Sequence, residues 1–80
     1  MHELGLSRNI VSIVTENAGD KPVARVKLSV GPLACVETTA LQFCWDIVTQ
    51  DSPLKGASLE IEEAEGDTFL IKEFEYREMA

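Results

Sequence analysis

From Val23 to Val30 the chain alternates without a break. Ala24, Val26, Leu28 and Val30 share one parity, and Arg25, Lys27 and Ser29 hold the other. Successive side chains on a strand point to opposite faces, so this segment predicts a strand with one buried and one wet face. A sheet built on it offers one apolar surface, and helices elsewhere in the chain are expected to pack there. Gly31-Pro32 ends the run.

A helical period precedes it. Leu6, Ile10, Ile13, Val14 and Asn17 recur at helical spacing, which predicts an amphipathic helix over about residues 4–18. Gly19 supplies a C-terminal stop, with Pro22 shortly beyond. A second helix is expected over 37–50, with Ala40, Leu41, Phe43, Cys44, Trp45, Ile47 and Val48 as its apolar residues. Leu41, Cys44 and Val48 fall at the centre of that face, and Phe43 and Trp45 on opposite edges. Either both edges are covered by neighbours, or one aromatic edge belongs to a partner interface; Phe43 and Trp45 are the candidates.

Asp51-Ser52-Pro53 and Lys55-Gly56 read as a loop. Residues 57–63 alternate again, with Leu59 and Ile61 inward. Gly66-Asp67 is a turn signal, and a last strand follows over 68–76. Its parity breaks: Phe69 and Ile71 point one way, Phe74 and Tyr76 the other. A bulge near Lys72-Glu73 would reconcile them. The expected class is therefore α+β, in the order α-β-α-β-β. It is a small mixed three-stranded sheet with two helices on one face and a terminal hairpin. A crossover between parallel strands would be right-handed.

An 80-residue chain is one small domain, and folding at that size buries only roughly 60–65% of the unfolded surface. With a formal net charge of −7, no clustered lysines and arginines suit a phosphate backbone, so no nucleic-acid partner is expected. The acids concentrate at Glu60, Glu62, Glu63, Glu65, Asp67, Glu73, Glu75 and Glu78, as a solvated sheet face or a surface for a basic partner. No apolar stretch is long enough for a membrane span and no secretory pattern opens the chain, so a cytoplasmic protein without a membrane partner is expected.

Catalytic chemistry is poorly supplied. Nucleophilic catalysis needs a base beside the nucleophile, and the single histidine is His2. There is no phosphate loop. Cys35 and Cys44 form no CxxC pair and have no histidine at ligand spacing, so no zinc is expected. Cys44 reads as a small buried hydrophobe and Cys35 as an exposed loop residue. What remains is Met1-His2-Glu3. An imidazole beside an α-amine and main-chain nitrogens can form small chelate rings, a nitrogen-rich set that suits square-planar nickel(II) or copper(II).

The residues in order carry a resemblance. Met1-His2-Glu3-Leu4, then Val30-Gly31-Pro32-Leu33-Ala34-Cys35-Val36, Leu41-Gln42-Phe43-Cys44-Trp45, Gly56 to Glu63 and Gly66 to Glu75 together resemble the HypA/HybF family, the nickel metallochaperones of hydrogenase maturation. Two departures stand out. The family carries a zinc module with two CxxC pairs between its last two strands, where this chain has only a short turn between residues 63 and 68. Pro32 stands where the family usually has an acid. The resemblance implies one nickel-binding domain over 1–80, without the zinc module. It implies a metal site at Met1, His2 and Glu3, with nickel(II) as the metal. Its implied partners are a HypB-like GTPase and a nickel enzyme such as hydrogenase. It implies an accessory protein rather than an enzyme. The alternative is a HypA-like interaction module, or small subunit of an enzyme complex, that works without metal. A weaker possibility is a dimer that buries Trp45 or the edge of the last strand.

Overall fold

The computed structural model describes residues 2–19 and 21–77. Helix α1 spans Glu3–Ala18, strand β1 Val23–Val30, helix α2 Thr38–Val48, strand β2 Ser58–Glu63 and strand β3 Phe69–Tyr76. Single 3-10 turns cover Pro32–Ala34 and Thr49–Asp51. The α+β class, the element order and the mixed three-stranded sheet agree with the sequence.

The strand order is β2-β1-β3, with β1 parallel to β2 and antiparallel to β3. Here the expectation of a terminal hairpin is corrected, because β2 and β3 flank β1 instead of pairing. The 64–68 link must therefore cross the end of the central strand. Ala64 N–H donates to Val30 O at 3.0 Å, Gly31 N–H to Thr68 O at 2.8 Å and Leu33 N–H to Gly66 O at 2.8 Å. The crossing is tight enough to demand glycine at 31. A Cβ built there would lie 2.7 Å from Glu65 O and closer still to Gly66 O. Gly66 has φ +63°, the left-handed conformation that a side chain disfavours. Pro32 fits as the first residue of its 3-10 turn, where a missing N–H costs nothing.

Two bulges keep the sheet one-sided. On β3, Glu73 pairs with Lys27 and Ile71 with Leu28, leaving Lys72 as the extra residue. That is the bulge its broken parity required, and it brings Phe69, Ile71 and Phe74 all against the core. On β1, Val23 pairs with Tyr76 and Arg25 with Glu75, so Ala24 is the extra residue. Val23, not Ala24, thereby joins Val26, Leu28 and Val30 inside. The opposite face is charged. Arg25 lies between Glu60, at 3.0 Å, and Glu75, and Lys72 pairs with Glu62 at 2.9 Å.

Ile10, Val14 and Ala18 of α1 and Leu41 and Trp45 of α2 join this apolar face in one core cluster. Both helical stripes are rotated from the sequence expectation. On α1 the buried line is Ser7, Ile10, Val14 and Ala18, while Ile13 is 48% exposed and Asn17 faces solvent. On α2 the centre is Leu41 and Trp45, and Cys44 and Val48 are half-buried. A wide apolar arc does not say which part of it a neighbour covers. Tertiary hydrogen bonds decide the matter. Trp45 Nε1 donates to Ala57 O at 2.9 Å, and Gln42 Nε2 donates to Leu59 O at 2.7 Å, so α2 is fixed over β2 and its approach. Leu54, in the segment read as plain loop, is fully buried.

Candidate metal site and partner surface

The candidate metal residues fall at the start of α1. His2 is the N-cap, in extended conformation at φ −89°, ψ 102°, and its side chain makes no cap bond. Its carbonyl accepts from Leu6 N–H at 3.1 Å and so closes the first turn. The imidazole is exposed. Met1, the third expected contributor, lies outside the described residues.

The amides that open a helix have no intrahelical acceptor, and they carry the positive end of the helix dipole. A bare cation is disfavoured there. A metal bound through ionised main-chain nitrogens with a carboxylate close by is not, because the donors supply the compensating negative charge. Glu3 is that carboxylate, and it is held in place. Its Oε2 accepts from Glu37 N–H at 3.2 Å, a contact between residues 34 apart in sequence. This bond, followed by the bond from Glu3's own N–H, holds the Glu3 carboxyl below its ordinary range against a desolvation that pushes the other way.

Glu37 is itself the N-cap of α2, and its Oε1 accepts from Thr39 N–H at 2.7 Å. The two helix starts therefore meet at the Glu3–Glu37 contact. The sequence marked Glu37 only as the beginning of a helix. Nothing local signals a bond between residues so far apart.

Side chains alone do not make a metal centre here. Among the described residues, no group of three or more histidine, cysteine, aspartate or glutamate side chains could hold an ion. Cys35 is exposed and Cys44 half-buried, and both thiols are free. Metal at this end of the chain needs main-chain nitrogens beside the His2 imidazole.

The structure separates the two aromatic partner candidates. Phe43 is 68% exposed. Trp45 is 1% exposed and bonded through its indole N–H, so it is a core residue, and neither a partner contact nor a dimer that buries it is available. The residue that accompanies Phe43 is Ile47, 53% exposed and one helical turn on. Beside this helix, a groove of about 680 Å³ runs between the start of α2 and β2, lined by Thr38, Thr39, Gln42, Val30 and Ile61. No helix among the described residues is long and apolar enough to cross a membrane.

Comparison with known proteins gives one consistent answer. The family model described as HypA, hydrogenase/urease nickel incorporation, metallochaperone, matches residues 1–69. The chain is 49% identical over 61 residues to the hydrogenase maturation factor HypA of Trichodesmium erythraeum, which covers 76% of this chain and 54% of that protein. It is 50% identical over 66 residues to the protein of the same name from Nostoc punctiforme, covering 82% and 58%. The chain thus spans little more than half the length of these relatives. Among solved structures it is similar to the solution structure of the Ni metallochaperone HypA from Helicobacter pylori. The TM-score is 0.74 at 19% identity, over 80% of this chain and 58% of that one, a likeness of fold.

Proposed function

This chain belongs to the HypA family, and from that premise we propose that it is a nickel-handling accessory domain for the maturation of a nickel enzyme such as hydrogenase. The observation that carries the reading is the family match over residues 1–69, a span that includes His2 and Glu3. Nickel is cargo here, and the chain catalyses no reaction on it. The His2 imidazole and main-chain nitrogens of Met1, His2 and Glu3 provide a planar nitrogen set, which nickel(II) favours. A domain that works without its own zinc agrees with the lack of a CxxC pair in the sequence. The working place is the cytoplasm. The partners are a HypB-like GTPase and the recipient enzyme, with Phe43 and Ile47 as the contact surface on this side.

Genetic replacement tests the reading. In cells lacking the chain, activity of the dependent nickel enzyme should fall, the unaltered chain should restore it, and His2→Ala should not. Full restoration by His2→Ala refutes the role in nickel delivery.

A second reading has its own support. The exposed Phe43–Ile47 pair and the lack of a three-ligand cluster among the described residues suit a metal-independent interaction module. Such a module would co-purify with an enzyme complex that contains no nickel.

A further inference from the structure

We infer that the Glu3 side chain is a positioning residue of the nickel site and not a ligand: its carboxylate holds the metal-bearing end of α1 against the start of α2 through the Glu37 N–H. The inference rests on the nickel reading above and assigns the acid within it a role. Three observations carry it. Glu3 Oε2 is already engaged by the Glu37 amide at 3.2 Å. The donor side of that junction is fixed, because Glu37 uses its own carboxylate to cap α2 at Thr39 N–H. The other side is fixed by the Leu6 N–H bond to His2 O, so the backbone of residues 2 and 3 is gripped from both directions. The His2 imidazole carries no comparable restraint, since it makes no cap bond.

A chelate of consecutive main-chain nitrogens depends on the conformation of two or three residues at a chain end, where fraying is the default. A bond that orders this segment before metal arrives removes part of the ordering cost from binding. The carboxylate also offsets the positive end of the α1 dipole, which otherwise opposes a cation. The first effect needs an oxygen acceptor close to Glu37 N–H, and the second, smaller one needs a negative charge near the helix start. Neither needs an oxygen on the metal.

The test measures nickel affinity of the full chain by competition with a chelator, and records the visible ligand-field band. The variants are Glu3→Ala, Glu3→Gln, Glu37→Pro, Glu37→Ala and the double variant Glu3→Ala/Glu37→Pro. Glutamine keeps an oxygen acceptor. Proline removes the Glu37 donor, and alanine at 37 keeps that donor while removing the cap. The expected result is binding about tenfold weaker in Glu3→Ala, the size of effect a charge-assisted hydrogen bond gives. Glu3→Gln should recover most of the loss, and the band should keep its position throughout. Glu37→Pro should match Glu3→Ala beyond any effect of Glu37→Ala, and the double variant should be no weaker than either single change. Affinity in Glu3→Ala equal to that of the unaltered chain overturns the inference while leaving the nickel reading intact. A Glu3→Gln variant as weak as Glu3→Ala with a displaced band also overturns it, by making the carboxylate a ligand. No nickel binding by the unaltered chain overturns both.

Discussion

Gly31→Ala should be among the most damaging single changes in this chain, although its backbone is ordinary. Gly31 has φ −90° and ψ 161°, a conformation open to any residue. The cost is therefore steric. The added methyl meets main-chain atoms of Glu65 and Gly66, which cannot swing aside as a flexible side chain would. Overpacking of this kind costs roughly 1–3 kcal/mol. Moving the link away also strains two bonds of 2.8 Å, Gly31 N–H to Thr68 O and Leu33 N–H to Gly66 O. Each contributes roughly 0.5–1.5 kcal/mol. Against this, alanine stiffens the unfolded chain by about 0.4–1 kcal/mol. The net loss is about 3 kcal/mol, or roughly 12–24 °C in Tm for a domain of this size. Urea and thermal unfolding measure it, with Gly5→Ala as the control. A methyl at Gly5 meets nothing within 4 Å, so that variant should gain up to about 1 kcal/mol. A Gly31→Ala variant as stable as the unaltered chain, with the same m-value, would refute the tight crossing at the end of β1.

Trp45→Phe should lose about 1–3 kcal/mol in urea unfolding, because the buried Ala57 carbonyl is left without its indole donor. Phe43→Ser should change stability by no more than about 0.5 kcal/mol. On the proposed partner surface it should nonetheless weaken capture of the GTPase in a binding assay; unchanged capture removes Phe43 from that surface. The Glu62–Lys72 pair predicts a pH dependence. The Lys72 ammonium is the main cause that holds the Glu62 carboxyl low. A lowered folded-state value contributes stability above the ordinary carboxylate range and loses it as the pH falls through the folded value. Thermal melts should therefore separate Lys72→Met from the unaltered chain near neutral pH, converge in acid, and also converge at high salt. A difference that persists in acid contradicts the pairing.

The legible parts of the fold are those written in local period. The alternation at Val26, Leu28 and Val30 marks the central strand, and the broken parity of Phe69-Ile71 and Phe74-Tyr76 marks the Lys72 bulge. Period fails where the deciding contact is distant. Trp45 lies at the edge of its helical arc, yet it is buried in the core with its indole N–H on the distant Ala57 carbonyl. Ile13 belongs to the apolar stripe read from the sequence and Ser7 does not, yet Ser7 is the one buried. The five residues between β2 and β3 suggest a hairpin by length alone. They cross β1 instead, and the local sign of this was the glycine at each end of the contact, Gly31 and Gly66. For the metal site, the sequence offered His2 and Glu3 as candidates from chemistry and resemblance. The Glu3–Glu37 bond, which joins two helix starts, left no local trace.

The most direct test of the central claim is a nickel titration of the unaltered chain, with a native N-terminus, beside His2→Ala. It should be run near neutral pH and again at mildly acidic pH. The account predicts one nickel per chain, lost in His2→Ala and weakened in acid as the donor nitrogens take up protons. Binding that ignores His2, or no binding at neutral pH, would contradict a nickel site at this end of the chain and leave the interaction module as the better description.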